Sequence, residues 1–258
     1  MGRAPLILIS PGIEKRGFEF SDLSVSLSVR YEAAILAAGG IPLIAPVTSD
    51  RALMAEAVRR TDGVLLTGGD DIDPDLYDRT ISPNIRKTVE VTPDNGGRDE
   101  RELVLISEIF RQRKPVLAIC RGHQLLNIAF GGGLLADIRQ QFPSRVDHRQ
   151  MTKAFDLVHE VTLTAGSLVA KICGKRVLGV NSTHHQGVAA PAEPFVATGR
   201  SSDGLVEVME LKPELAGRLP FLLSVQFHPE RLVHQHARYR AIFEKFVAVC
   251  TKNGNKKS

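Results

Sequence analysis

Tryptophan is absent from the 258-residue chain, and only three tyrosines occur. No basic stripe with interleaved aromatics is present, so the stacking platform that reads nucleic-acid bases is missing and nucleic acid is not an expected partner. The net charge of +4 does not change this, because the basic residues are dispersed and their one local run is the tail KNGNKKS. Cysteine is also scarce: Cys120, Cys173 and Cys250 are an odd number without framework spacing. That argues against a disulfide scaffold and for a reducing compartment. No apolar run approaches the roughly 18 residues of a membrane span. The start, MGRAPLILIS, is too short for a signal peptide and lacks the Ser or Thr of a myristoylation signal. The expectation is a cytoplasmic protein without a membrane partner. HExxH and CxxC spacings are missing too, so no metal is expected.

What is present is ordinary for a globular protein, 43% hydrophobic and 24% charged. Short apolar runs alternate with helix-like segments through the first half. PLILIS, IPLIAP, GVLLTGG and PVLAI read as strands. Helices are predicted from about Val29 to Ala38, from Asp50 to Arg60, from Arg98 to Arg113 and from Gly122 to Phe130. Residues 70–97 are polar and read as a long surface loop. This β-α-β-α rhythm predicts an α/β fold, a mostly parallel sheet with helices on both faces. In the second half HEVTLT, RVLGV, FVATG, LVEVMEL and FLLSVQF are strand-like and predict hairpins appended to the sheet. An amphipathic helix over about Val233 to Val249 closes the chain. With no repeat and no linker, one domain is expected over residues 1–251, and a disordered tail over 252–258.

Cys120 ends an apolar run and is followed by Gly122 and a helix-like stretch, in PVLAICRGHQLLNIAFGG. A free thiol, with pKa near ~8.5, becomes more acidic at a helix N-terminus. A strained strand-to-helix turn would present it as a nucleophile. The bland alternative, a small buried apolar residue, suits Cys173 and Cys250 better. In VQFHPE, His228 and Glu230 follow a strand and share a side of an extended segment, so Glu230 could orient His228 as a general base. Alone, that motif would equally be a polar strand end. In LLTGGDD, an exposed Gly69 amide could join the Arg121 amide in binding an oxyanion, and an ordinary turn is as good a reading. In VNSTHHQG, His184 and His185 diverge if the backbone is extended, which suits a substrate-contacting loop better than a metal. GGRDERE reads mainly as an acidic helix start, although Arg98 could reach a substrate carboxylate.

Taken together, LLTGGDDIDP, AICRGHQLLN and VQFHPE resemble the class I glutamine amidotransferase superfamily over nearly the whole chain. The elbow is similar to that family's G-x-C-x-G-x-Q pattern, with Ala118 in place of the first Gly and Gln124 closing it. TGGDDIDPDLY, RDERE, Arg121 after the nucleophile and VNSTHHQGV resemble most the γ-glutamyl-γ-aminobutyrate hydrolase family. The resemblance implies a flavodoxin-like three-layer αβα fold and a Cys120–His228–Glu230 triad. It implies an oxyanion hole from the Gly69 and Arg121 backbones, with Gln124, His184, His185 and Arg98 as candidate substrate contacts. It also implies hydrolysis of a γ-glutamyl amide without a cofactor, and a homodimer as the family-level expectation. Two alternatives remain: a glutaminase subunit feeding ammonia to a synthetase partner, and a non-catalytic protein that keeps the fold. Phe227 and Ser224 depart from the Trp and Gly frequent at those places.

Overall fold

The structure, a computed structural model, describes residues 3–17 and 20–254. Strand β1 (Leu6–Ile9) leads into a small separate hairpin, β2 (Gly12–Glu14) with β3 (Ser24–Ser26). The alternating run that contains β3 gives way to α1 (Val29–Ala37) where Ser28 accepts from the Arg30 amide. β4 (Ile41–Ile44), α2 (Arg51–Arg60) and β5 (Gly63–Leu66) follow. Asp50 caps α2 as its sequence position predicts, accepting from the Ala52 and Leu53 amides. The polar stretch after β5 is less irregular than expected. It holds a 3-10 turn (Pro74–Leu76), the short helix α3 (Pro83–Arg86) and an Asp71–Val91 bridge. Then come α4 (Gly97–Arg111), β6 (Val116–Ile119) and α5 (Arg121–Ile128).

The second half adds β7 (Gly133–Leu135), α6 (Ile138–Gln141), β8 (His159–Leu163), α7 (Leu168–Cys173), β9 (Val177–Val180) and β10 (Gly187–Ala190). β11 (Phe195–Ser201), β12 (Val206–Leu211), β13 (Leu222–Val225) and α8 (Ala237–Gly254) complete it. β7, β10, α6 and α7 were not expected. α8 starts later than expected, because the chain first makes a 3-10 turn at Pro229–Arg231. It also extends through Lys252–Gly254, which the sequence reading gave to the tail, and residues 255–258 lie outside the described residues.

One sheet carries the fold, in the order β4-β1-β5-β6-β13-β12-β11-β8-β9, with β7 and β10 attached beside β12. Its first five strands are mutually parallel. In chain order they run second-first-third-fourth-fifth, the flavodoxin-like arrangement. β5, β6 and β13 are buried at every residue, which explains why they read as unbroken apolar runs. From β12 onward the pairing is antiparallel. Side chains alternate between two cores. Ile7, Leu65, Leu117 and Ile119 face the layer containing α1, α7 and α8. Leu8, Val64, Leu66 and Ala118 face α2, α4 and α5. The edge strand β4 leaves Ile41, Leu43 and Ile44 exposed. No helix among the described residues is long and apolar enough to cross a membrane.

Candidate active site

The carboxyl ends of β5, β6 and β13 bring Gly68-Gly69, Cys120 and His228 together, where open parallel sheets place their ligands. Cys120 has φ 52° and ψ −105°, a backbone state that costs a non-glycine residue about 1–3 kcal/mol. The surroundings hold it there. The Cys120 amide donates to Val225 O at 2.8 Å, and the Gly122 amide donates to Thr67 O at 3.0 Å. Gly122 is required because a Cβ there would lie 2.7 Å from both Leu66 O and Leu66 Cβ. The elbow is therefore built as its sequence suggests, with α5 packed hard against β5.

The His228 ring lies beside Cys120 against Gly68, and its Nδ1 lies 2.7 Å from Glu230 Oε1. With Nδ1 turned to Glu230, Nε2 is left for the thiol. Burial alone would lower the imidazole pKa, but the Glu230 carboxylate and the Cys120 thiolate outweigh it and push His228 up to about 10. The sign follows directly. The charged pair is fully favourable below the ordinary histidine value of 6.5 and is lost as pH rises through about 10. Turnover that needs imidazolium as an acid should therefore hold through neutral pH and fall on the alkaline side near 10. A pH profile of kcat/KM, which reports the free enzyme, that already falls between 7 and 8 would contradict this pairing. The other thiols are inert: burial pushes Cys173 up to about 11 and Cys250 well above its ordinary value. A γ-glutamyl chloroketone should accordingly label Cys120 alone, read by peptide mass mapping; label on Cys173 would contradict the assignment.

The glycine pair is demanded by its neighbours. A Cβ on Gly68 would lie 2.8 Å from the His228 ring, and Gly69 has φ +147° with the Arg98 guanidinium against it. Among the described residues, neither the Gly69 nor the Arg121 amide donates to a protein acceptor. The Arg121 side chain points away from Cys120's cleft. It is fully buried and ion-paired to Asp99 and Glu102 of α4. Arg98 lines the cleft that His228 opens on and is also held from within the protein. Its guanidinium donates to Glu102 at 3.0 Å, to Thr67 Oγ1 at 3.0 Å and to Gly68 O at 2.9 Å. It thus fastens the glycine loop to α4, and its charge is already matched inside the protein. Glu102 is the hub: burial would raise its pKa, but Arg121 and Arg98 outweigh that and hold it below the usual range.

Two residues around the centre, Gln226 and Asn181, escaped the sequence reading. Gln226 Nε2 donates to Cys120 Sγ at 3.6 Å. Gln226 stands two before His228, so strand alternation could have placed it on the same side. Gln124 supports it, donating to Gln226 Oε1 at 3.1 Å and Gln186 O at 3.0 Å. Asn181 clamps the His228 backbone, accepting from its amide at 2.9 Å and donating to its carbonyl at 3.0 Å. Nothing in the local sequence signals that. His184 and His185 do diverge. His184 Nδ1 faces Gln186 O, while His185 Nε2 lies 2.9 Å from both Asp71 carboxylate oxygens.

Two clefts meet at Gly69. One, about 200 Å³, is lined by Cys120, Gln124, His184, His185, Asp70, Asp71, Glu90 and Arg149 among others. The other, about 170 Å³, is lined by His228, Tyr31, Arg98, Glu14, Asp70 and Arg231 among others. The nucleophile thus opens on one cleft and its histidine on the other.

Comparison with known proteins agrees with this geometry. The peptidase C26 family model matches residues 5–230. Protein NtpR of Enterococcus hirae is 35% identical over 216 residues, covering 83% of this chain and 85% of that one. The γ-glutamyl-γ-aminobutyrate hydrolase PuuD of Escherichia coli is 31% identical over 236 residues, covering 87% and 86%. Among solved structures, a "putative gmp synthase subunit a protein" of Thermoplasma acidophilum superposes with a TM-score of 0.61 at 17% identity, covering 99% and 98% of the two chains, and so shares the fold. With its elbow cysteine and C26-wide match, the chain belongs to the peptidase C26 family, a hydrolase family of class I glutamine amidotransferase-like fold.

Proposed function

We propose that this enzyme hydrolyses γ-glutamyl amides, γ-glutamyl-γ-aminobutyrate or a related amine conjugate, to glutamate and the free amine. The observation that carries the reading is the Cys120–His228–Glu230 line, with the cysteine held at a strained elbow and the histidine 2.7 Å from its carboxylate. The relatives named as γ-glutamyl-γ-aminobutyrate hydrolases support the substrate class.

In this reading the Cys120 thiolate attacks the γ-carbonyl carbon, and the carbonyl electrons move onto oxygen. The Gly69 and Arg121 amides donate to that oxyanion. Collapse breaks the carbon–nitrogen bond, and His228 gives its proton to the departing amine. His228, now neutral and still oriented by Glu230, takes a proton from water as the water attacks the thioester. Glutamate leaves and the thiolate–imidazolium pair is restored. The amine departs on the His228 side, so the second cleft takes the leaving group and the Cys120 cleft takes the glutamyl half. In the latter, Arg149 suits the α-carboxylate, and Asp71 and Glu90 suit the α-ammonium. Arg149→Ala should raise KM about 10-fold or more with kcat little changed, since that contact is equal in ground and transition states. A kcat loss at constant KM would move Arg149 out of this role.

The deciding assay measures glutamate release from a panel of γ-glutamyl amines and from free glutamine, with no partner protein added. Faster turnover of γ-glutamyl amines is expected. Glutamine turned over alone, and only when a synthetase is supplied, would overturn the reading in favour of a glutaminase subunit.

A further inference from the structure

Two glutamates of β12 are buried, and their surroundings differ. Glu210 accepts from the Leu168 and Val169 amides at 2.8 and 3.0 Å and from Thr198 Oγ1 at 2.9 Å. Glu207 is fully buried, and neither of its carboxylate oxygens has a hydrogen-bond partner. Three imidazoles surround it instead. His148 Nδ1 and His159 Nε2 each lie 3.6 Å from Glu207 Oε1, and His184 Nε2 lies 3.8 Å from it. All three histidine side chains are nearly excluded from solvent.

The far nitrogen of each ring fixes what the near one offers. His148 Nε2 lies 2.9 Å from the Asp203 carboxylate. His184 Nδ1 lies 2.9 Å from Gln186 O, and His159 Nδ1 lies 3.4 Å from Glu160 O. Each of these partners is an acceptor, so each far nitrogen carries the proton. Three unprotonated nitrogens therefore face one bare carboxylate. Ser182 Oγ lies 3.0 Å from His184 Nε2, but its single proton goes to His148 O at 2.9 Å. A proton on Glu207 would satisfy one of the three nitrogens. His159 Nε2 is unpartnered outright.

Lone pairs converging from several sides on one point are the signature of a cation site. Each histidine also has the backing that metal-bound imidazoles have, an acceptor on the opposite nitrogen. Ligand atoms around a tetrahedral zinc, at about 2.0–2.1 Å from it, lie roughly 3.4 Å from one another. The separations of His148 and His159 from Glu207 are too long for hydrogen bonds and a few tenths of an ångström wider than that edge, and the three ligand atoms lie within 4.8 Å of one another. We propose that His148, His159 and Glu207 form a buried site for a divalent transition-metal ion, zinc by the chemistry of its donors.

The ion ties β12 and β8 to the segment before β8, beside His184 of the loop that walls the Cys120 cleft. Its role is to hold that side of the pocket in shape, and no step of the hydrolysis passes through it. The sequence hides such a site because its ligands come from three separated segments with no metal-binding spacing.

The test starts from Cys120→Ser protein, which removes the active-site thiol as a competing ligand. The protein is exchanged with Zn2+, desalted and measured for metal by mass spectrometry, and the apoprotein is titrated with Co2+ while its visible d–d bands are followed. One equivalent of zinc per chain and tetrahedral cobalt bands are expected. Chelator should lower the melting temperature of wild type. Glu207→Gln and His159→Asn should each abolish stoichiometric zinc and the chelator response, and Asp203→Asn should weaken affinity about 10–100-fold. Wild type without stoichiometric zinc and with a chelator-independent melting temperature would overturn the proposal. So would zinc retained in folded Glu207→Gln and His159→Asn but lost from Cys120→Ser, which would put the ion at the thiol.

Discussion

Cys120→Ala is expected to cut γ-glutamyl amide turnover by about 10⁴–10⁶-fold, the scale on which removing a triad nucleophile acts. The fold should survive. The lost sulfur is a small atom at the cleft, and the backbone bonds that hold the elbow, from Cys120 N to Val225 O and from Gly122 N to Thr67 O, do not involve it. Substrate binding should survive too, since the glutamyl contacts lie elsewhere in the cleft. Cys120→Ser is expected to be nearly as inactive. A hydroxyl there has no accessible anion at neutral pH, and the strained position of residue 120 was shaped around a thiolate paired with His228. The measurement is single-turnover glutamate release beside a melting curve. Turnover within about 10-fold of wild type in a folded Cys120→Ala protein would be incompatible with covalent catalysis.

Glu102→Ala should lower stability more than any substitution at the cleft surface. Glu102 sits between Arg98 and Arg121, both fully buried, and accepts from each. Its removal leaves two guanidiniums out of water, with Asp99 paired to Arg121 and Asp70 nearby but no carboxylate bridging both. Breaking a buried pair in this way costs about 3–5 kcal/mol. For a chain of this size that lowers the melting temperature by on the order of 10 °C. Activity should also fall at temperatures where the variant is folded. Arg98 holds Gly68 O and Thr67 from the same network, and the Gly69 amide sits on that loop. Glu102→Gln keeps an acceptor and should lose less. Calorimetry and kcat at low temperature separate the two effects. A melting temperature within about 1 °C of wild type would show that the network is not structural.

The parallel half of the fold was legible because its central strands are buried on both faces and so read as unbroken apolar runs. The cap at Asp50 and the glycine after the elbow cysteine gave local, mechanical signals for where helices begin. β7 and β10 carried no such signal: they are three and four residues long, and their pairing with each other, and of β10 with β12, makes them strands. α7 was missed although its ends are marked by a Ser167 cap and a left-handed Gly174. Its six residues simply fell below the length at which periodicity shows. In the site, nucleophile, histidine and carboxylate were readable because each follows a strand end. The internal partners of Arg98 were not legible, since a helix start looks the same whether its arginine faces solvent or a buried carboxylate one turn on. Gln226 was passed over beside a more conspicuous histidine. Asn181 and the cluster around Glu207 depend on segments far apart in the chain, where only the folded backbone creates the relation.

The central claim is that Cys120 becomes an acyl-enzyme. The direct measurement is intact mass after rapid mixing with a γ-glutamyl anilide and acid quench, followed by peptide mapping. An adduct of one glutamyl group on the Cys120 peptide should form and decay at rates that support steady-state turnover, and it should be absent from Cys120→Ala. Glutamate released at full rate with no adduct on Cys120, or with the adduct on another residue, would contradict it.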